Sequence, residues 1–135
     1  MKQLLAIIAA VCLTGLSATA SAGEFADLRT TLTAARESLI TLMVNKDKRG
    51  ADQQKLVKDT ADAVSAQLAK MKAPAGKDAQ LKELVEVWGA FKKTREADLV
   101  PAILAGRDDE ARKLAGGVQK ERYTRVQELI GELGG

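Results

Sequence analysis

A chain of 135 residues with a formal net charge of +3, one Cys and no His has room for a single modest core and carries little catalytic equipment. Without imidazole it lacks the commonest general base, the commonest metal ligand and the usual haem ligand. Its charges are interspersed in sign rather than clustered, which argues against a nucleic-acid surface.

Residues 1–22 have the pattern of a cleaved secretory signal peptide. Lys2 is the only charge before Glu24, Leu4 to Leu16 is apolar, and Ala20-Ser21-Ala22 forms an A-x-A-like cut site. The apolar run is shorter than the ~20 residues that span a bilayer. Cleavage before Gly23 leaves one exported, periplasmic domain, 23–135. Cys12 departs with the leader, so disulfides, thiol catalysis and thiolate metal sites drop out. No second apolar run of about 20 residues follows, and no stable membrane insertion is expected after cleavage.

The mature chain has helical period throughout. Phe25, Leu28, Leu32, Ala35, Leu39 and Leu42 alternate three and four residues apart and predict a helix over 24–45. Lys46 to Gly50 makes a charged loop that ends in Gly, and Lys46, Lys48 and Arg49 are expected to be solvated there. Val57, Ala61, Val64, Leu68 and Met71 predict a second helix over 51–73, stopped by Ala73-Pro74-Ala75-Gly76. Leu81, Leu84, Trp88 and Phe91 begin a third over 77–105, closed by Gly106. Asp108, Asp109 and Glu110 suit the first turn of a fourth over 108–133, whose seam includes Ala111, Leu114, Val118, Leu129 and Leu133. Short connections make successive helices antiparallel. The expected fold is all-α, an up-down-up-down antiparallel four-helix bundle.

One stretch breaks the pattern. In WGAFKKTREADLVPAILAG, Arg95 stands where the apolar seam should continue, and Pro101 lacks the N–H that a helix interior uses. Folding about the 106/107 turn sets Arg95 opposite Val118 and Gln119, and Phe91 opposite Arg122. Folding about the other loops brings residues 55–59 of the second helix and Thr41 of the first toward Arg95. One layer then collects Arg95, Gln119, Arg122 and Thr60, above Trp88 and Phe91. The Pro101 kink faces Gly116-Gly117, which implies either a cleft or a close helix crossing. Arg95 and Arg122 have two readings: flank residues paired with acids such as Glu96, Asp59 or Glu121, or a planar fork held for an anion. Trp88, Phe91 and Tyr123 divide likewise between core and ligand contact. The candidate binding residues are Arg95, Arg122, Gln119, Thr60, Trp88 and Tyr123, with no catalytic group, metal or cofactor.

Residues 87–129 also resemble the second half of the four-helix-bundle ligand-binding domain of methyl-accepting chemotaxis receptors. The likeness rests on Trp88 and Phe91 as W-x-x-F, on Thr94-Arg95-Glu96, on the small-residue turn at Gly106 and on DDEARKLA at the entry to the fourth helix. It implies an extracytoplasmic sensor that binds small molecules between helices and commonly dimerises, here through the first and fourth helices. Such receptors continue into a second membrane segment and a cytoplasmic signalling rod. This chain is similar to the sensor half alone, in a stand-alone exported version.

Two functions follow. One is a sensor-like binding protein for a small, anionic molecule, working as a monomer or weak homodimer. The alternative is a periplasmic structural, adaptor or chaperone-like interaction module with a protein partner. An enzyme is not expected, since no nucleophile–base pair, metal spacing or Gly-rich phosphate loop occurs. An enclosed cavity lined by the arginines would favour binding, and a dense core beside a large exposed apolar stripe would favour interaction.

Overall fold

The computed structural model describes residues 20–134, with side chains from Gly23 onward. The expected signal peptide and its cut site lie outside the described side chains, and residues 1–19 lie outside the description altogether. The described chain is all-helical, with four helices.

The first helix, α1 (Ala20–Val44), is followed by a short 3-10 turn (Lys46–Lys48) and by α2 (Ala51–Lys70). The third helix runs from α3 (Asp78–Thr94) through a π-helical segment (Arg95–Leu99) into α4 (Val100–Leu104). The fourth is divided into α5 (Asp108–Gly116) and α6 (Val118–Leu133) by Gly117. The main packing pairs are α1 with α2 and α3 with α6; α1 also meets α6, and α2 meets α3. Among the described residues, no helix is long and apolar enough to cross a membrane.

The seams of the first two helices pack as their spacing requires. Phe25, Leu28, Leu32, Ala35, Leu39 and Leu42 are all buried, as are Val57, Ala61, Val64 and Leu68. The second helix ends at Lys70, three residues earlier than its pattern suggests, where the Met71 N–H bonds the Leu68 carbonyl.

In the fourth helix the seam differs from the expected one. Val118 is exposed, and Gln119 beside it is buried. From there the inward positions are Gln119, Tyr123 and Val126, then Leu129, Ile130 and Leu133, so the expected seam residues Leu129 and Leu133 are buried and the difference is confined to 118–126. The break at Gly117 advances the face by one residue, and one residue turns a helix by about 100°. Arg122 and Arg125 thereby move to the flank. Arg125 pairs there with Glu83, Glu128 and Glu132.

Among the described residues the interior is two apolar clusters rather than one. The larger holds Phe25, Leu32, Leu68, Leu84, Trp88, Leu129 and their neighbours. The smaller holds Leu39, Leu42, Val57, Leu99, Ala102, Ile103 and Ala111. The buried polar or charged residues Ser38, Arg95 and Gln119 lie at the division.

Candidate functional site

The π segment explains how Arg95 and Pro101 coexist in one helix. Inward positions Phe91, Arg95 and Leu99 are spaced four and four, a run that drifts off one face of a regular α-helix. The wider π turn keeps all three inside, and each is buried. It also lies immediately upstream of Pro101, whose ring crowds the carbonyl four residues back. Pro101 then falls in the first turn of α4, where a missing N–H is tolerated. The interruption expected at Pro101 is thus absorbed before it, and the helix continues.

Arg95 is fully buried. It donates from Nη1 to the Ala35 carbonyl at 2.9 Å, and from Nη2 to the Val57 carbonyl at 2.9 Å and the Ser38 hydroxyl at 3.4 Å. Its partners are all neutral oxygens, and its Nε is buried with no hydrogen-bond partner. Desolvation pushes the guanidinium down to about 10, with the Glu96 charge opposing, which leaves it a cation at neutral pH.

Gln119 closes the layer on the α6 side. Its Nε2 donates to the Phe91 carbonyl at 2.9 Å, and its Oε1 accepts from Arg122 at 3.0 Å. Thr60 stands behind Ser38, with their hydroxyls 2.9 Å apart. The pieces are held from α1, α2, the π segment and α6 together.

A cleft of about 380 Å³ opens over this layer, between α1 and α6. Arg95 and Gln119 lie at its floor, with Phe91 and Leu99. Arg36, Ile40 and Met43 of α1 form one wall; Lys120, Tyr123 and Gln127 of α6 form the other. The Arg36 guanidinium sits 5.3 Å from the centre of the Tyr123 ring, a cation–π contact. Tyr123 also stacks obliquely on Phe91 at 5.9 Å, and its burial pushes its hydroxyl above the ordinary value. The lining contains three cations, Arg36, Arg95 and Lys120, and no Asp or Glu.

Of the candidates from sequence, the structure brings Arg95, Gln119 and Tyr123 to this cleft. Thr60 is one hydrogen bond removed from Arg95, through Ser38. Trp88 faces α2, its indole N–H on the Ser65 hydroxyl at 2.9 Å. Arg122 spans to α3, donating to the Thr94 hydroxyl at 2.7 Å. Sequence reasoning passed over Arg36, Ile40, Met43 and Lys120. They flank their seams rather than lie on them, so seam spacing did not single them out; for Lys120 a correct register of α6 was the available signal.

Gly117 is needed where it stands. A Cβ there would lie 2.8 Å from the Lys113 carbonyl oxygen, while one at Gly116 meets nothing within 4 Å. Gly117→Ala should cost about 1–2 kcal/mol, despite the better helix propensity of Ala. Gly116→Ala should gain about 0.5–1 kcal/mol. Urea midpoints of the two variants check this; equal shifts would mean that the break at Gly117 is not fixed by its backbone contact.

Comparison with protein-family models, with curated proteins and with solved structures finds no match to this chain.

Proposed function

We propose that this protein is an exported, chemoreceptor-sensor-like four-helix bundle that binds a small anion in the cleft between α1 and α6. The observation that carries this reading is the charge of the cleft. Three cations line it without an acid, and one of them is the fully buried Arg95, which has no carboxylate among its hydrogen-bond partners. A buried charge unpaired by the protein is costly, and an anion delivered to the cleft offsets that cost. At an effective dielectric of 20, a charge about 8 Å from Arg95 gains about 2 kcal/mol.

The bundle is taken to run up-down-up-down, with antiparallel neighbours. Supporting this, the Gln67 amide near the end of α2 donates to the Glu24 carbonyl near the start of α1. Lys77, just before α3, likewise reaches the Glu132 carbonyl at the end of α6. Binding is favoured over catalysis because the lining offers Arg, Lys, Tyr, Thr and Gln and no nucleophile paired with a base. It is favoured over an adaptor role because the exposed large hydrophobic residues, Val44, Leu56, Val85, Leu104 and Val118, are scattered over five helical segments. The resemblance of residues 87–129 to chemoreceptor sensor domains points the same way, as does the leader-like sequence that would place the domain in the periplasm. Monomers or weak dimers suffice, since the cleft is complete within one chain.

The test is a thermal-shift series with small carboxylates and inorganic phosphate on the purified protein. An anion at 100 times its Kd stabilises by about 2.7 kcal/mol, a rise on the order of 10 °C for a domain of this size. The rise should shrink in Arg36→Ala and Lys120→Ala. No shift with any anion would defeat the proposal.

A further inference from the structure

Resting on that reading, we infer that the ligand is an amphiphile, a monocarboxylate with an aliphatic tail. The cleft is not uniform along its length. At one end α1 contributes Arg36, and α6 contributes Tyr123, Thr124 and Gln127. At the other end the walls are Ile40 and Met43 of α1, Leu99 of the π segment and Ala115 of α5. Arg36 and Met43 are seven residues apart on one helix, so the change from polar to apolar takes about 10 Å. Lys120 and the buried Arg95 lie between.

A compact inorganic anion satisfies only the polar end. It leaves the apolar end wet, beside side chains that gain nothing from water. A carboxylate with a tail of roughly six carbons fits the same length, given ordinary C–C bond lengths. Its head meets Arg36 and Lys120 over the Arg95 charge, and its tail covers Ile40, Leu99 and Met43, whose flexible thioether adapts to the tail. A dicarboxylate places its second charge against the apolar end, where no cation lines the wall.

The experiment is a calorimetric titration with acetate, butyrate, hexanoate, octanoate, hexanol and inorganic phosphate. Affinity should rise about three- to fourfold per methylene from acetate to hexanoate, the increment for burying one CH₂, and then level off. Hexanol should bind at least tenfold more weakly than hexanoate. Ile40 belongs to neither core cluster, so Ile40→Trp fills the apolar end without disturbing the fold. It should remove the advantage of hexanoate while sparing butyrate, and Met43→Ala should move the plateau to longer chains. Phosphate or acetate binding as tightly as hexanoate would overturn the tail and leave the anion site standing. Hexanol matching hexanoate would overturn the head group. Silence toward every anion, phosphate included, would remove the anion site itself. Hexanoate affinity unchanged in both variants would place the tail elsewhere and overturn the inference.

Discussion

Replacing Arg95 with Met is expected to raise the melting temperature, and replacing it with Ala to lower it. The reasoning starts from what the guanidinium leaves behind. The Ala35 and Val57 carbonyls lie within α1 and α2 and already accept intrahelical N–H bonds, so neither is orphaned when Arg95 goes. Ser38 keeps its bonds to the Ala35 carbonyl and to Thr60. What disappears is a cation held in the interior with no carboxylate among its hydrogen-bond partners. Replacing buried ionic groups by apolar ones of similar volume is often neutral or stabilising by 1–4 kcal/mol. Met is long enough to bridge the two apolar clusters, and a gain of about 1–2 kcal/mol is expected, roughly 4–8 °C. Ala instead leaves a cavity worth about 2–5 kcal/mol relative to Met, and falls about 1–3 kcal/mol below the wild type.

The same pair of variants separates fold from function. Both should lose most affinity for anions, because both lack the charge beneath the cleft. A protein that becomes more stable and loses binding together is one that keeps a destabilising residue for its site. A clear loss of stability in Arg95→Met would mean instead that the three hydrogen bonds outweigh the burial. Arg95 would then be a clamp between α1, α2 and the third helix. Equilibrium unfolding in urea, with and without the best-binding anion, decides between the two.

Much of this architecture was written in residue spacing, because burial against one neighbour is all that a seam position needs. Each seam position of the first helix is buried as its period demands, and Arg95 was visible as a break in the third. In the fourth helix Ala111, Leu129 and Leu133 are buried as their spacing requires, but the register between Val118 and Arg125 was not visible. Gly116 and Gly117 look alike in sequence, yet only Gly117 sits against a carbonyl that forbids a Cβ. The one-residue advance that follows sends Gln119 inward and Arg122 to the flank. Thr41 was expected beside Arg95, whereas Ala35 and Ser38 are found. Side chains lean toward the N-terminus of their own helix, and a long Arg carries its head about a turn that way. In the alternating arrangement proposed above, that direction runs toward lower numbers on α1. Arg49 was expected to be solvated with Lys46 and Lys48, yet its side chain is only 15 % exposed and its guanidinium bonds three backbone carbonyls. In sequence it is one more charge in a charged loop, and nothing local says that two helix ends converge on it.

Arg49→Ala is expected to cost about 3 kcal/mol, near 12 °C in melting temperature. Its Nε donates to the Leu42 carbonyl at 2.9 Å and its Nη2 to the Met43 carbonyl at 2.7 Å, both in the last turn of α1. Its Nη1 reaches the Ile103 carbonyl of α4 at 3.1 Å. The last carbonyls of α1 have no intrahelical partner and carry the negative end of its dipole, so the guanidinium satisfies that end, while at Ile103 it adds a second donor to a carbonyl that already accepts the Gly106 N–H at 3.1 Å and ties the third helix to the first. Its side chain is only 15 % exposed, so water replaces it poorly. Hydrogen bonds to a charged donor contribute about 1.5–3 kcal/mol each, and the three together fall short of their sum because they share one side chain. Asp108 lies 3.6 Å away but is a third exposed and shared with Lys46, so Asp108→Ala should cost under about 1 kcal/mol. Arg49→Lys keeps the charge but cannot fork to three acceptors, and should fall midway between Ala and the wild type. The mechanism also fixes the salt dependence. Contacts to carbonyls are insensitive to ionic strength, whereas an exposed ion pair is screened within about 3 Å at 1 M salt. The deficit of Arg49→Ala should therefore persist in 1 M sodium chloride; a deficit that vanishes there would assign the effect to Asp108 and leave the helix ends to solvent.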